Sequence, residues 1–324
     1  MRRAMADAEV GDDQYGEDPT VRLLEETFAD ITGKEAAMLV PSGTMGNQVC
    51  LLALTRPGDA VVVGARQHVV LYEAGAGPAN AGVTWLAVPD EHGRLNVGDV
   101  EAAIDAAAHH QPVPSAVALE DTHMAAGGTV WPKDRLDAVS ELARRRGLRV
   151  HLDGARLWHA AVATGGTLRE RAAAATTVTC CLSKGLAAPI GSLVAGPLDV
   201  MDAAHLARKR LGGAMRQAGV IAAAGLVALR DGVERLAEDH ERARRLGAAV
   251  AERWPEGCLP RAGVQTNIVV FSPPDPGGLL RHLGESGVLA GTIAPGVVRL
   301  VTHADVDDAG VDAACDAIAR APGP

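Results

Sequence analysis

The amino-acid sequence predicts an α/β protein in which a mostly parallel sheet, covered by helices, is followed by a smaller α+β module. Short apolar runs alternate with alanine-rich stretches of helical character over much of the 324 residues. Most of these runs are continuously apolar, which is typical of strands buried on both faces of a parallel sheet. Their alternation with helices indicates a layered α/β fold.

The predicted strands follow one another at regular intervals along the first part of the chain. They are Ala37–Val40, Ala60–Val63, Val83–Ala87, Ala116–Glu120, Leu148–Asp153, Thr177–Leu182 and Ser192–Ala195. The helices predicted between them are Thr44–Leu54, Val97–Ala108, Pro132–Arg146 and Leu168–Ala175. Sheets of this kind bind ligands at the carboxyl ends of their strands, so polar residues just after these runs are candidate site residues.

The C-terminal part has a different pattern. A nearly continuous helical pattern over 215–254 leads into a module that runs from about residue 259 to the end. The elements predicted in this module are strands Thr266–Phe271 and Val297–Thr302 and helices starting at Gly277 and Val306. We therefore expect a large domain over residues 1–235 and a small domain, with its connecting helix, over residues 236–324.

The composition excludes several classes of protein. The net charge of −9 disfavours a nucleic-acid partner, because surfaces that bind DNA or RNA carry an excess of basic residues. The first residues lead into no apolar secretory segment, and no run reaches the roughly 18 apolar residues of a membrane span. Five cysteines without CxxC spacing predict no disulfide framework, no metal site and a reducing cytoplasm; they are Cys50, Cys180, Cys181, Cys258 and Cys315.

A glycine-containing turn follows the first predicted strand and reads Pro41-Ser42-Gly43-Thr44-Met45-Gly46-Asn47. Gly43 lets the backbone approach an anion, and Thr44 is expected to cap the helix that begins there. The free N–H groups and the dipole of a helix N-terminus favour a phosphate. No Gly-Lys-Ser/Thr follows, so a Walker A nucleotide loop is disfavoured. An ordinary strand-to-helix turn is the alternative.

Asp153 lies where another apolar strand ends, in the stretch Leu152-Asp153-Gly154-Ala155-Arg156. A buried carboxylate at this place is costly unless it has a partner, and a protonated pyridine nitrogen would be a good one. Arg156 could reach the same ligand from the next turn. The alternative is that Asp153 caps the following helix and pairs with Arg156.

Lys184 is one of only four lysines; the others are Lys34, Lys133 and Lys209. It follows a predicted strand and is flanked by small residues. A lysine amine in partly apolar surroundings is a competent nucleophile, although most lysines simply lie on the surface. The order of a phosphate-binding turn, a strand-end aspartate and then a lysine is that of fold-type I enzymes, which use pyridoxal phosphate (PLP).

The sequence resembles the low-specificity L-threonine aldolases of the β-eliminating lyase group. The resemblance covers essentially the whole chain, in order, on the segments Val10–Asp13, Tyr15–Thr20, Pro41–Thr44, His68 with Glu73–Gly75, Glu120–His123, Leu152–Arg156, Cys181–Leu186, Gly212–Gln217, Gln265–Asn267 and Arg299–His303. It implies a fold-type I PLP-dependent transferase-like fold.

The resemblance implies that PLP is the cofactor and that Lys184 holds it as a Schiff base. The full set of implied cofactor-binding residues is Gly43, Thr44, His68, Asp153, Arg156, Lys184 and Arg216. In this set His68 stacks on the pyridine ring, Asp153 pairs with the ring nitrogen and Arg156 pairs with the ring hydroxyl. Gly43 and Thr44 hold the phosphate.

The implied substrate-binding residues are Arg299, His123 and Tyr15. Arg299 is expected to bind the substrate carboxylate through its bidentate fork. His123 is expected near the substrate hydroxyl as the base, and it joins Lys184 and His68 as a catalytic residue. Arg216 and Tyr15 are expected to reach the active site of a neighbouring subunit.

The implied reaction is retro-aldol cleavage of L-threonine or L-allo-threonine to glycine and acetaldehyde, with the ring of PLP as electron sink. The partners implied are a small amino-acid substrate and further copies of the chain in a homotetramer, with no nucleic acid and no membrane. Three alternatives stay open: another PLP-dependent β-eliminating lyase, a phenylserine-type aldolase, and a homologue that binds PLP without catalysis.

Three departures from the family pattern concern the substrate. The family has a segment of the type Arg-Ser-Asp-Thr whose serine helps to hold the substrate carboxylate, and none of the nine residues before Val10 matches it. We interpret this as either a late start site or a real loss, in which case Arg299 acts more nearly alone. Met124 and Val69 stand where polar residues are usual, which affects the expected substrate preference.

Overall fold

The computed structural model describes residues 1–107, 109–255, 259 and 263–322. Ala108, the predicted end of a helix, and Cys258 lie outside the described residues. Within the described part a seven-stranded sheet has the order β1-β7-β6-β5-β4-β2-β3. Its strands are β1 Ala36–Val40, β2 Ala60–Gly64, β3 Thr84–Val88, β4 Pro114–Glu120, β5 Arg149–Asp153, β6 Thr177–Cys181 and β7 Ser192–Gly196. The predicted α/β class and all seven predicted strands are confirmed.

The sheet is mostly parallel, as predicted. Strands β3, β2, β4, β5 and β6 pair in parallel, and β7 pairs antiparallel with both β6 and β1. Strands β2, β4, β5 and β6 therefore end at one edge of the sheet. This edge collects the residues that follow Gly64, Glu120, Asp153 and Cys181.

Helices cover the sheet. They are α1 Arg2–Ala6, α2 Pro19–Thr32, α3 Gly43–Leu54, α4 His68–Leu71, α5 Val97–Asp105, α6 Lys133–Arg145, α7 Leu157–Thr164, α8 Leu168–Ala172, α9 Leu198–Arg210, α10 Gly219–Asp231, α11 Leu236–Arg253, α12 Pro276–Glu285 and α13 Asp308–Ala319. None of them is long and apolar enough to cross a membrane. The helical pattern over 215–254 is two helices, because the chain breaks at Gly232, whose backbone lies close to Leu186.

A second, antiparallel sheet of three strands lies in the C-terminal part, with the order β8-β10-β9. Its strands are β8 Ile268–Phe271, β9 Gly291–Ala294 and β10 Val297–Val301. The sequence did not predict strand β9, because this strand is short and largely exposed. Val250 of α11 and Trp254, directly after it, share a hydrophobic core with Phe271. This shared core supports our proposal that the small domain begins at residue 236 with its connecting helix.

Helix α3 lies unusually close to the sheet, and this closeness positions the site. A Cβ atom at Gly46 would lie 2.6 Å from Cγ2 of Thr179 on β6, so only glycine allows the approach. One residue further, Asn47 is buried against the ends of the parallel strands. The N-terminus of α3 and the carboxyl ends of β5 and β6 therefore converge.

Candidate active site

Asp153, at the end of β5, is the most firmly held of the predicted site residues. It is 4% exposed, its Oδ2 accepts a hydrogen bond from Asn47 Nδ2 at 2.8 Å, and its Oδ1 accepts one from the backbone N–H of Ala155 at 3.1 Å. Burial alone would raise the pKa of Asp153, but the charges of His68 and Lys184 and the Asn47 hydrogen bond together lower it. The carboxylate is therefore ionised inside the protein.

The alternative interpretation of Asp153 does not hold. Helix α7 begins at Leu157, its N-cap is Arg156, and no side chain caps it. Within the described residues no salt bridge joins Asp153 to Arg156. Asp153 is thus oriented by Asn47 and the backbone N–H of Ala155, and it does not cap α7.

His68 stands beside Asp153 at the start of α4 and is half-buried. Its Nδ1 lies 3.0 Å from Oε1 of the buried Glu73, and its backbone N–H donates to Glu120 Oε2 at 2.7 Å. Burial alone would lower the pKa of His68, but the Glu73 hydrogen bond and the charges of Asp153, Glu73 and Glu120 raise it. Since Nδ1 is engaged by Glu73, Nε2 is the ring nitrogen left for a ligand.

Ligand atoms of His68, Glu73 and Asp153 lie within 4.8 Å of one another, an arrangement in which a metal ion could bind. The oxygens that would bind it already accept hydrogen bonds, however. Asn47 donates to both Glu73 Oε1 and Asp153 Oδ2, at 2.7 and 2.8 Å. Since these hydrogen bonds already stabilise both carboxylates, the side chains of His68, Glu73 and Asp153 are held in place without a bound metal ion.

The predicted phosphate-binding turn lies at the start of α3, next to the end of β6. A Cβ atom at Gly43 would lie 2.7 Å from Cys181 Sγ, which explains the glycine. The prediction that Thr44 caps the helix is wrong: Ser42 is the N-cap, and its Oγ accepts from the N–H of Met45 at 3.2 Å. The helix begins one residue earlier than predicted, so Thr44 lies in its first turn with a half-buried side chain.

Lys184 follows β6 and is half-buried. It lies close enough to Asp153 for its charge to help lower the pKa of that carboxyl. It also lines a cavity of about 360 Å³, together with Arg156, Ser183, Gly185, Asn267 and His303 among others. The next residue, Gly185, passes against helix α7, where a Cβ atom would lie 2.2 Å from Nε2 of His159.

Arg156 lines this cavity, and neither it nor Arg299 forms a salt bridge with a carboxylate among the described residues. The Nε atom of Arg156 is enclosed and has no hydrogen-bond partner in the described part of the structure. Burial and the like charge of Arg299 both lower the pKa of Arg156, so the two guanidinium groups are neighbours. Arg299 comes from β10 of the small sheet. Cations that lack protein partners in a cleft are suited to binding anionic ligand groups.

His123 is in a different situation from the other predicted site residues. Its side chain is fully enclosed, its Nδ1 accepts from the N–H of Ala126 at 3.2 Å, and its Nε2 lies 3.3 Å from Asp90 Oδ2. Burial alone would lower the pKa of His123, but Glu120 and Asp90 raise it. Its link to the site is Glu120, whose Oε2 lies 3.8 Å away. In this conformation the ring does not contact the cleft.

Tyr15 and Arg216 lie together but on the outside of this chain. Tyr15 is 74% exposed, and Arg216 pairs with Asp12 at 2.6 Å. The backbone N–H of Asp13 also bonds to the carbonyl of Arg216, so the two segments form one surface. The structure thus brings His68 and Lys184 near Asp153, Lys184 and Arg156 to one cavity, and Arg299 near Arg156. Gly43 and Thr44 lie at the start of α3, where Gly43 approaches Cys181, whereas Tyr15 and Arg216 form a separate exposed pair.

Four residues of the site were given no role from the sequence: Asn47, Glu73, Glu120 and His151. Glu120 could have been found by the strand-end rule that singled out Asp153, because it ends the neighbouring parallel strand. His151 lies two residues before Asp153 on β5, so its side chain is on the same face of the sheet. Asn47 and Glu73 carried no such signal.

The residues present fit PLP. An ionised, oriented carboxylate suits a pyridinium nitrogen, the enclosed and unpaired Nε of Arg156 suits a ring oxygen, and a helix N-terminus suits a phosphate. Lys184 supplies the amine on the same cleft. The chain therefore supplies the amine, the carboxylate and the cation that this cofactor requires chemically.

A family model described as β-eliminating lyase matches residues 1–272. The chain belongs to this family. It is 41% identical over 321 residues to a probable low-specificity L-threonine aldolase of Arabidopsis thaliana, covering 96% of this chain and 90% of that one. It is 38% identical over 309 residues to the low specificity L-threonine aldolase of Escherichia coli K12, covering 94% and 90%.

The fold also matches that of solved threonine aldolases. The structure from Leishmania major superposes with a TM-score of 0.83 at 22% identity, covering 98% of this chain and 93% of that chain. The family resemblance predicted from the sequence segments is thus confirmed, as is the fold. At 22% identity the structural match shows only that the two folds are alike. The chemistry follows from the side chains of the candidate site.

Proposed function

We propose that this β-eliminating lyase family member is a PLP-dependent aldehyde-lyase that cleaves L-threonine or L-allo-threonine to glycine and acetaldehyde. One observation carries the proposal: Arg156 and Lys184 line one cavity, the Lys184 charge helps to lower the pKa of Asp153, and the Arg299 charge helps to lower the pKa of Arg156. The relatives of 38% and 41% identity, which span nearly the whole chain, support the same reaction.

Each residue has a distinct task in this proposal. Lys184 holds the cofactor covalently, and Asp153 keeps the ring nitrogen protonated. Bound PLP supplies an electron-withdrawing ring that stabilises negative charge at the substrate Cα atom. The guanidinium of Arg299 binds the substrate carboxylate, and that of Arg156 binds the ring oxygen. Gly43 and Thr44, at the N-terminus of α3, bind the phosphate.

The cleavage requires that the substrate hydroxyl lose its proton. We assign this step to Nε2 of His68, because Nδ1 is already bonded to Glu73 and the ring lies close enough to Asp153 for its charge to help lower the pKa of that carboxyl. His123 was the base expected from the sequence, and its enclosure changes the role we propose for it. His123 acts through Glu120, whose carboxylate accepts a hydrogen bond from the backbone N–H of His68.

We further propose a homo-oligomer, a tetramer, in which Tyr15 and Arg216 reach the active site of a neighbouring subunit. Their exposure on one surface of this chain supports the idea. We place the protein in the cytoplasm. The described cysteines Cys50, Cys180, Cys181 and Cys315 are all free, in keeping with a reducing compartment.

The test is to incubate the purified protein and PLP with L-threonine, L-allo-threonine and L-phenylserine, and to measure the aldehyde and glycine formed. We expect acetaldehyde and glycine in equal amounts from the first two substrates. Cleavage of phenylserine alone would point to the phenylserine-type aldolase. A visible absorbance band of lysine-bound PLP without any turnover would overturn the catalytic proposal and leave a PLP-binding protein.

A further inference from the structure

Asn47 lies at the centre of a buried hydrogen-bond network behind the cofactor-binding residues. It is 2% exposed, and its carboxamide touches three polar side chains. Nδ2 lies 2.7 Å from Glu73 Oε1 and 2.8 Å from Asp153 Oδ2, while Oδ1 lies 3.0 Å from His151 Nε2. Each hydrogen of the amide thus reaches a different carboxylate.

The network fixes the proton positions of its members. Both Nδ2 hydrogens of Asn47 go to carboxylates, so its Oδ1 must accept, and His151 must carry its hydrogen on Nε2. His151 Nδ1 is then the acceptor for the hydroxyl of Thr177, 2.9 Å away. Burial lowers the pKa of His151 to about 4, so the ring is neutral near pH 7 and has the single hydrogen that this pattern needs.

The same amide connects the two groups that would hold the ring of the cofactor, Asp153 and His68. Asp153 is the proposed partner of the ring nitrogen. Glu73, the second carboxylate, accepts from His68 Nδ1 at 3.0 Å, and a separate donor, Gln48 Nε2, lies 2.9 Å from its other oxygen. The Asn47 amide is therefore shared between Asp153 and the Glu73–His68 pair, and it lies between two buried carboxylates that would otherwise repel each other.

We propose that Asn47, oriented by His151, is a positioning residue that holds the Asp153 carboxylate unprotonated and aimed at the ring nitrogen of PLP. This inference rests on the proposed function. Asn47, the last residue of the segment Pro41–Asn47, would thus act at the ring nitrogen, whereas Gly43 and Thr44 of the same segment would bind the phosphate. Because Gly46 allows α3 to approach Thr179 closely, the amide of Asn47 reaches Asp153.

The experiment measures cofactor affinity and needs no substrate. PLP and an analogue with carbon in place of the ring nitrogen are each titrated into the purified wild-type protein and its variants, and protein fluorescence reports binding. Asn47→Ala should weaken PLP binding on the order of tenfold, since Asp153 loses a charge-assisted hydrogen bond. Binding of the carbon analogue, which offers Asp153 no N–H, should weaken clearly less.

Two further variants keep the test independent of folding. Asn47→Asp has nearly the same shape but places a third acidic group between Asp153 and Glu73, so it should weaken PLP binding at least as much as alanine does. Gln48→Ala removes the donor to Glu73 that does not touch Asp153. It should affect PLP and the carbon analogue equally.

The outcomes separate the two proposals. If the wild-type protein does not bind PLP, the proposed function fails. If the wild-type protein binds PLP and Asn47→Ala weakens both ligands equally, Asn47 has a merely structural role and this inference is overturned. Unchanged PLP affinity in both Asn47→Ala and Asn47→Asp would overturn it as well. The far-ultraviolet circular dichroism spectrum of each variant shows that it is folded.

Discussion

The charged residues of the candidate site form two sides, which differ in how their charged groups are satisfied. On one side Asp153, Glu73 and His68 belong to a buried network in which each carboxylate accepts defined hydrogen bonds. On the other side Lys184, Arg156 and Arg299 have no salt bridge among the described residues. The satisfied side is pre-organised, so it orients a ligand, whereas the unsatisfied side provides charge that a ligand can neutralise.

The largest effect should come from Lys184→Ala, on the unsatisfied side. We expect loss of the visible absorbance band of lysine-bound PLP, and cleavage of L-threonine lower by on the order of 10³-fold or more, because no other described lysine lines the cleft. The control is Lys133→Ala, whose amine pairs with Asp137 one turn further along α6. An intact band in Lys184→Ala would contradict the assignment.

The next largest effect distinguishes the two histidines. His68→Asn should lower kcat on the order of 10²-fold, because it removes the proposed proton acceptor. His123→Asn should change kcat less but lower the free energy of unfolding by about 1–3 kcal/mol, since Asp90 and the Ala126 N–H lose an enclosed partner. Steady-state kinetics and urea unfolding measure the two. An equal fall in kcat, without loss of stability, would restore His123 as the base.

The two arginines should separate cofactor binding from substrate binding. Arg299→Ala should raise KM for L-threonine about tenfold to a hundredfold, because a hydrogen-bonded charge pair with the carboxylate is lost, and leave PLP affinity nearly unchanged. Arg156→Ala should weaken PLP binding. Titration with PLP and kinetics at saturating PLP measure the two effects. A KM that is unchanged in Arg299→Ala would argue that another group binds the carboxylate.

The smallest effect should be a shift in pH dependence on the satisfied side. In Glu73→Gln the negative charge beside His68 Nδ1 is gone, so the pKa of His68 falls. His68 accepts a proton only when neutral, so the acidic limb of the profile of kcat against pH should move to lower pH. Glu91→Gln, at an exposed carboxylate, is the control. A shift to higher pH, or none, would contradict the role of His68.

The two sides also differed in how many of their residues could be predicted from the sequence alone. Lys184 and Asp153 were found because a buried parallel strand leads into each, and such strand ends meet at one edge of the sheet. Arg299 entered through the family resemblance, since its strand belongs to another sheet. Asn47 and Glu73 were missed because neither position is informative until the fold brings 47, 73, 151 and 153 together.

The elements of the fold show the same limit. Strands β2, β6 and β7 were predicted because their complete burial leaves a continuous apolar pattern. The exposed strand β9 was missed because few of its side chains are buried. The start of α3 was misplaced by one residue because both Ser42 and Thr44 can cap a helix, and the approach of Gly43 to Cys181 decides between them.

The neighbouring guanidinium groups of Arg156 and Arg299 also bear on how such a protein evolves. Their mutual repulsion, between the start of α7 and strand β10, opposes the folded state and is not offset by any salt bridge among the described residues. Selection for thermal stability alone would replace one of them with a neutral side chain. Keeping both is a trade-off in which stability is given up for activity. Consensus-based stabilisation of this protein should therefore leave this pair unchanged and alter surfaces far from the cleft.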